Sequence, residues 1–194
     1  MKDVFLVLAT VVTIVSVVPY LRDIIKGTTK PNLVSWMTWF LLTGIATVAE
    51  IVAHEYIAAI FTGSAVVETG LIVAFGLYRK AYVRYTAFDV WCQVGAVVGI
   101  ILWQVFNTPA IGVIASVAID FIGALPTVRH SWKDPSEETW QTYALSGLGG
   151  LFALVALDTY NWVSLPYAVY IVLINALLAG MIINRRTNET TSHI

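Results

Sequence analysis

Two carboxylic acids and one carboxamide lie deep inside long apolar stretches of this sequence. Glu68, Asp120 and Asn175 each precede the basic residues at the end of their stretch by nine to eleven positions. At a rise of ~1.5 Å per residue, all three would lie near the middle of helices long enough to cross a bilayer. We therefore predict that they share one depth.

This depth restricts the chemistry of Glu68 and Asp120. An ionisable group in the hydrocarbon centre costs several kcal/mol unless it is paired, protonated or facing water. No Lys or Arg lies at the same depth, so we expect both acids to face inward and one or both to be protonated at rest. A proton-coupled carrier or a site for a cationic solute needs such groups. The alternative is a neutral carboxyl that fastens two helices together.

The composition requires that these residues sit in a membrane protein. Of the 194 residues, 58% are hydrophobic and 12% are charged, and the mean hydropathy is +0.79. Soluble domains carry about 25% charged residues. The net charge of −1 attracts no nucleic acid, and a single cysteine, Cys92, excludes an internal disulfide. Seven apolar runs predict seven transmembrane helices: 4–21, 33–53, 57–78, 88–106, 110–128, 139–157 and 164–183.

The positions of the basic residues predict the orientation. When the seven runs are threaded alternately through a bilayer, every Lys and Arg except Lys2 falls on one side. Basic residues favour cytoplasmic loops, which places the N-terminus outside and the C-terminus in the cytoplasm. Aromatic residues near the run ends are predicted to anchor the two interfaces, among them Trp36, Trp39, Tyr78, Tyr82, Trp91 and Tyr167.

An internal repeat organises the chain. The pattern P-x-x-R, a short polar loop and P-x-x-x-x-W begins at Pro19 and again at Pro126. Three helices and a connecting fourth separate the copies, so both run in the same direction and the repeat is parallel. The predicted units are 1–80 with three helices, 81–107 with the linker helix, 108–186 with three helices and 187–194 as a polar cytoplasmic tail.

The repeat pairs polar positions at the predicted midplane. Thr13 corresponds to Asp120, and Thr69 corresponds to Asn175. Together with Glu68, these four residues are our candidate solute-binding residues, and the two acids are the candidate proton-coupling groups.

Pro19 and Pro126 are candidate hinges. A proline near a helix end removes a backbone hydrogen bond and permits bending. The same residues are also expected where a helix simply ends, and the duplication does not distinguish the two roles.

The parallel repeat and its two prolines resemble the PQ-loop superfamily, which includes the SWEET sugar facilitators, their half-size bacterial relatives and the lysosomal amino-acid exporters. Tyr20 and Thr127 stand where that family typically has Gln. Over nearly the whole chain, the resemblance implies two parallel three-helix units joined by an inverting fourth helix. It also implies that Asn175, on the last helix of a unit, contacts the substrate.

We therefore expect a SWEET-like alternating-access transporter of a small polar solute in a plasma or inner membrane. The family implies a sugar, whereas the two acids favour an amine, an amino acid or proton coupling. The expected partners are the solute and the lipid bilayer, with a homo-oligomer compatible and nucleic acid excluded. We expect no enzyme activity, no cofactor and no metal, because no phosphate loop, metal cluster or nucleophile with a base is present in the sequence.

Two alternatives share this architecture. One is a seven-helix receptor or sorting protein, which would bind from one side without moving a solute. The other is a transporter of the nicotinamide riboside or vitamin type, whose overall plan is similar.

Overall fold

The computed structural model describes residues 2–52, 54, 56–105, 109–157, 159–160 and 165–192. This part of the chain is all α-helical, with seven α-helices, one short 3-10 turn at Pro135–Glu137 and no strand. The helices are α1 (Lys2–Lys26), α2 (Leu33–Val52), α3 (Tyr56–Arg79), α4 (Ala87–Val105), α5 (Pro109–Lys133), α6 (Trp140–Ala156) and α7 (Leu165–Ser192). Each apolar run of the sequence forms one helix, and a short turn separates the second from the third, as predicted.

Local sequence signals set several helix ends. Gly27 follows α1 with φ +75°, a conformation that glycine adopts without a steric penalty, and its N–H bonds the Ile24 carbonyl at 3.0 Å. At the start of α4, the Asp89 carboxylate accepts the Thr86 N–H at 2.7 Å, and the Thr86 hydroxyl accepts the Asp89 N–H at 3.4 Å. This reciprocal capping box satisfies two backbone donors at the helix start.

Pro19 and Pro126 lie inside helices. α1 continues beyond Pro19 to Lys26, and α5 continues beyond Pro126 to Lys133. The interpretation that these prolines terminate their helices is therefore wrong. Each leaves the helix without one internal hydrogen bond, which is where a helix bends most easily.

The helices form two sets of three with the same packing pattern. In the first set, α1–α3, the third helix packs against both α1 and α2. In the second set, α5–α7, the last helix packs against both α5 and α6. The two sets meet where α1 contacts α6 and where α2 contacts α5, and α4 packs against α5 and α2.

Small and hydroxyl residues bring the two sets close together. A Cβ on Gly123 of α5 would lie 2.6 Å from Thr38 Cγ2 of α2, so any larger residue there would force Thr38 to move. At the other contact, the Thr142 hydroxyl of α6 donates to the Ser16 carbonyl of α1 at 2.9 Å. Ser16 and Gly123 hold equivalent positions three residues before the repeated prolines, so the two contacts use matching positions.

Large apolar side chains cover the outside of the bundle. On α1 the outward residues are Val4, Val7, Val11, Ile14 and Val18, each 48–61% exposed and spaced by three or four positions along one helix face. Outward Val, Leu, Ile and aromatic side chains also occur on α3, α4, α5 and α7. Buried side chains, in contrast, include many Ser, Thr, Asp and Glu residues.

Within the described residues, two helices are long and apolar enough to cross a membrane by length and composition, Lys2–Lys26 and Leu165–Asn188. Leu33–Val48 and Ala87–Ile101 are shorter apolar helices.

Candidate functional site

Glu68 lies in the middle of α3, and its side chain points into the bundle with 6% of its surface exposed. Its Oε1 is 2.5 Å from the Ser16 hydroxyl of α1 and 3.3 Å from the Ser146 hydroxyl of α6. The described part of the chain contains no ion pair to this carboxyl. Glu68 is therefore buried among hydroxyl groups, facing inward as the sequence predicts.

The hydrogen bonds of the Ser16 hydroxyl bear on whether Glu68 carries a proton. Its oxygen is 2.7 Å from the Thr13 carbonyl as well as 2.5 Å from Glu68 Oε1. A hydroxyl has one proton, and a backbone carbonyl only accepts. When Ser16 donates to Thr13, the short contact to Glu68 requires the carboxyl to donate its own proton. The geometry thus accommodates a protonated Glu68.

Asp120 occupies a second buried position, in the middle of α5, with 4% of its surface exposed. Its Oδ1 accepts hydrogen bonds from Trp39 Nε1 of α2 at 3.1 Å and from the Tyr170 hydroxyl of α7 at 2.8 Å. Its Oδ2 accepts from the Tyr167 hydroxyl at 3.1 Å. Three donors compensate the carboxylate for lost water, since hydrogen bonds to an ionised acceptor are among the stronger ones in proteins.

The two acids share one structural relationship. Glu68 belongs to the first set and accepts from Ser146 of the second set. Asp120 belongs to the second set and accepts from Trp39 of the first set. Each buried carboxyl therefore forms hydrogen bonds across the contact between the two helix sets.

The other predicted site residues make local contacts. Thr69 donates to the Ala65 carbonyl at 2.8 Å, and Asn175 donates to the Ile171 carbonyl at 2.9 Å, each within its own helix. Thr13 is buried, and its carbonyl accepts a hydrogen bond from Ser16, the residue that contacts Glu68. The structure thus brings Thr13 next to Glu68 and leaves Thr69 and Asn175 outside the hydrogen bonds of both acids.

Several residues predicted as interfacial anchors lie inside the bundle instead. Trp36 is buried, and its Nε1 donates to the Tyr20 hydroxyl at 3.2 Å. Trp39 and Tyr167 donate to Asp120. Their polar atoms find buried partners, so the anchoring interpretation is wrong for these three; Tyr78 and Trp91 are exposed, as anchors should be.

A third buried acid, Glu138, closes one end of the bundle. Its Oε2 accepts hydrogen bonds from the hydroxyls of Tyr20 (α1) and Tyr143 (α6), both at 2.9 Å. Its Oε1 is buried and has no hydrogen-bond partner among the described residues. Burial raises the pKa of Glu138 to about 8, against the opposing hydrogen bonds of the two tyrosines. An unpartnered buried oxygen fits a neutral carboxyl better than a carboxylate.

Loops reinforce this closed end. The Lys30 N–H donates to the Glu137 carbonyl at 2.9 Å, and the side chains of the same two residues form an ion pair. The hydroxyls of Thr29 and Thr139 are 2.7 Å apart, and Thr139 donates to Asp23 at 3.0 Å. The loop after α1 and the loop before α6 are therefore tied together.

Comparisons with protein-family models, curated proteins and solved structures find no match for this chain. Within the described residues, no group of three or more His, Cys, Asp or Glu side chains could hold a metal ion.

The sequence left several partners of these acids unidentified. Ser16, Ser146 and Tyr170 are polar residues inside apolar runs, and their depth could have marked them as neighbours of Glu68 and Asp120. Glu138 gave no such signal, because it follows Glu137 in a polar loop and only the fold separates the buried acid from the half-buried one.

Proposed function

We propose that this chain is a multi-pass integral membrane transporter that moves a small polar solute by alternating access. The observation that carries the proposal is the pair of buried acids, Glu68 and Asp120, each hydrogen-bonded across the contact between the two helix sets. A rocking motion of one set against the other would exchange these bonds for bonds to a solute.

The outer surface of the bundle supports the membrane part of the proposal. Monomeric soluble proteins rarely expose contiguous apolar patches larger than a few hundred Å². Here apolar side chains face outward on most helices, and hydroxyls and acids face inward. Lipid is the solvent that suits this distribution. With all but one of the basic residues on one side, the proposed orientation has the N-terminus outside and the C-terminus in the cytoplasm.

The packing order supports the parallel repeat. α3 packs against the other two helices of the first set, and α7 does the same in the second set. Between the sets, the first helix of each packs against the middle helix of the other, as α1 does with α6 and α5 with α2. We therefore propose two three-helix units, 1–80 and 108–186, joined by a linker unit, 81–107. This plan agrees with the resemblance to the PQ-loop and SWEET proteins.

The closed end indicates how the proposed cycle begins. Glu138, Tyr20 and Tyr143 link α1 to the start of α6, on the side that the basic residues assign to the cytoplasm. Opening toward the cytoplasm requires these bonds and the tie between the two loops to break. Pro19 lies one residue before Tyr20, so bending of α1 at the proline would move the tyrosine directly.

The solute class follows from the two acids. A sugar is what the family resemblance implies, and Trp39, Tyr167 and Tyr170 could supply hydrogen bonds to its hydroxyls. Glu68 and Asp120 have no cationic partner in the described residues, which favours a solute with an amine or the coupled movement of a proton.

Uptake by reconstituted liposomes tests the proposal. The protein is reconstituted and offered labelled glucose, choline, lysine and nicotinamide riboside, with and without an inward proton gradient. We expect saturable accumulation of at least one solute above protein-free liposomes. Saturable binding with no solute inside the vesicles would instead favour the receptor or sorting function. Flotation of the protein with the liposomes tests the membrane embedding separately.

A further inference from the structure

A groove outside the proposed solute path lies where α4, α5 and α7 meet. Its volume is about 310 Å³, at the low end of the ~300–1,000 Å³ range of small-ligand sites. Phe88 of α4, Leu125 and Val128 of α5, and Met181 of α7 line it with apolar surface. Neither acid of the proposed solute site borders it, so the groove is a separate feature.

Basic side chains form part of the lining of this groove. Arg129 and Lys133 line it directly. Arg185 of α7 lies against Trp132, another lining residue, with its guanidinium 4.8 Å from the ring centre. The described residues contain no ion pair of Arg129, Lys133 or Arg185.

The carboxylates near these cations form no ion pair with them in the described residues. Asp89 is buried and accepts from Asn32 and Thr86. Asp134 lies 3.7 Å from the His130 ring. Arg129 is itself positioned by contacts with α4 and the loop before it, since its guanidinium lies 5.0 Å from the ring centre of Phe88 and donates to the Thr86 hydroxyl at 3.2 Å. Within the described residues, Arg129 and Lys133 therefore line an apolar groove without an ion-pair partner, and Arg185 is held next to it by a hydrogen bond to the Trp132 carbonyl at 3.1 Å.

The first helix set lacks this arrangement. Arg22 and Lys26 hold the positions in α1 that correspond to Arg129 and Lys133 in α5. Arg22 is paired with its neighbour Asp23 at 2.9 Å. Among the described residues α4 packs on α5 and α2 but not on α1. In the second set, the duplicated basic residues border the groove that α4 helps to form.

We infer that this groove binds one anionic phospholipid of the cytoplasmic leaflet, with an acyl chain on the apolar floor and the phosphate on Arg129 and Lys133. The inference rests on the membrane embedding proposed above but not on transport. Basic pockets between membrane helices on the cytoplasmic side recognise anionic headgroups in this way. The apolar floor explains why a lipid, rather than a soluble phosphate compound, is the occupant.

Native mass spectrometry of the detergent-purified protein with phosphatidylglycerol or phosphatidylcholine tests this site. We expect retention of phosphatidylglycerol in preference to phosphatidylcholine. Removal of both charges in Arg129→Gln/Lys133→Gln should weaken retention about 25-fold, roughly fivefold for each cation. The matched control is Arg22→Gln/Lys26→Gln, which removes the same charges at the equivalent positions and should leave retention within about twofold.

Equal losses in the two double variants would show diffuse attraction to surface charge and overturn the site. Equal retention of the two lipids, or full displacement of phosphatidylglycerol by soluble glycerol phosphate, would also overturn it. Val128→Trp fills the groove without changing the charge and should reduce retention, and unchanged retention would contradict the acyl-chain position. If the double variant fails to fold, Lys133→Gln alone, at an exposed position, should still weaken retention roughly fivefold.

The lipid site and the proposed transport fail in distinguishable ways. A protein that takes up solute but retains both lipids equally contradicts the lipid site alone. A protein that retains phosphatidylglycerol through Arg129 and Lys133 but takes up nothing contradicts transport alone.

Discussion

Ser146 of α6 donates a hydrogen bond to the Glu68 carboxyl of α3, with 3.3 Å between the two oxygens. The bond crosses from one three-helix set to the other, and Trp39 and Asp120 make the reciprocal connection at 3.1 Å. Two buried acids thus hold the contact between the sets, although neither has a cationic partner in the described residues. This relationship links the fold to the proposed transport, because relative movement of the sets must break both bonds.

Trp39 should be energetically coupled to Asp120. We expect Trp39→Phe to lower the stability of the folded protein by ~0.5–2 kcal/mol, because it removes one of the three donors to a buried carboxylate. In an Asp120→Asn background the same substitution should cost less. A double-mutant cycle measured by chemical unfolding in detergent checks this. Additive costs would contradict a direct bond between the two side chains.

Gly123 should tolerate no side chain. Gly123→Ala would place a methyl 2.6 Å from Thr38 Cγ2, a β-branched side chain with little freedom to move. We expect a loss of about 1–3 kcal/mol in stability, measured by thermal unfolding. Gly44→Ala on α2 is the matched control, since an added Cβ there meets no atom within 4 Å. Equal effects of the two substitutions would contradict the close packing of α2 and α5.

Glu138 should make stability depend on pH. Burial raises its pKa from the ordinary 4.5 to about 8, so between these values the folded protein keeps a proton that the unfolded chain has lost. The contribution of this group to stability is therefore greatest below about pH 4.5 and falls as the pH rises toward 8. Glu138→Gln mimics the neutral acid and should unfold at nearly the same temperature across that range once the other titrating groups are subtracted.

The control for this pH dependence is Glu137→Gln. Glu137 is the half-buried neighbour that pairs with Lys30 at the protein surface. This variant keeps Glu138, so its stability should still fall as the pH rises toward 8. A parent protein and a Glu138→Gln variant with identical melting-temperature profiles would contradict the neutral buried acid.

For Asn175 and Thr69, the family resemblance and the observed hydrogen bonds lead to different expectations. The resemblance implies that Asn175 contacts the substrate, so that Asn175→Ala would reduce uptake strongly. In the structure the amide of Asn175 and the hydroxyl of Thr69 bond carbonyls of their own helices. We therefore expect Asn175→Ala and Thr69→Val to reduce uptake by less than Glu68→Gln and Asp120→Asn do, measured as initial rates in liposomes. Larger losses in the first pair would favour the substrate contact that the resemblance implies.

The number and positions of the helices could be predicted from the sequence, because each long apolar run bounded by polar residues forms one helix. The inward direction of Glu68 and Asp120 followed from the cost of exposing an acid to hydrocarbon. Trp39 and Tyr167 could not be predicted as partners of Asp120, since they stand near run ends, where aromatic residues usually anchor the interface. Only the packing of α2 and α7 around α5 shows that their polar atoms turn inward.

Pro19 shows a second limit of sequence reasoning. A proline near the end of an apolar run is consistent both with a helix that stops and with a helix that continues, because the backbone cost can be borne in either case. The decision depends on residues beyond the run, where Ile24 is fully buried and keeps the last turns of α1 packed. The burial of Ile24 cannot be predicted from the periodicity of apolar residues alone.

The most direct test of the central claim is the initial rate of solute uptake by proteoliposomes, measured at about pH 5.5 and about pH 7.5 for the parent protein, Glu68→Gln and Asp120→Asn. The solute is whichever of glucose, choline, lysine or nicotinamide riboside the parent protein accumulates. We expect each substitution to lower the rate about tenfold or more and to remove its pH dependence, while both variants remain folded. Uptake with unchanged rate and unchanged pH dependence in both variants would contradict it.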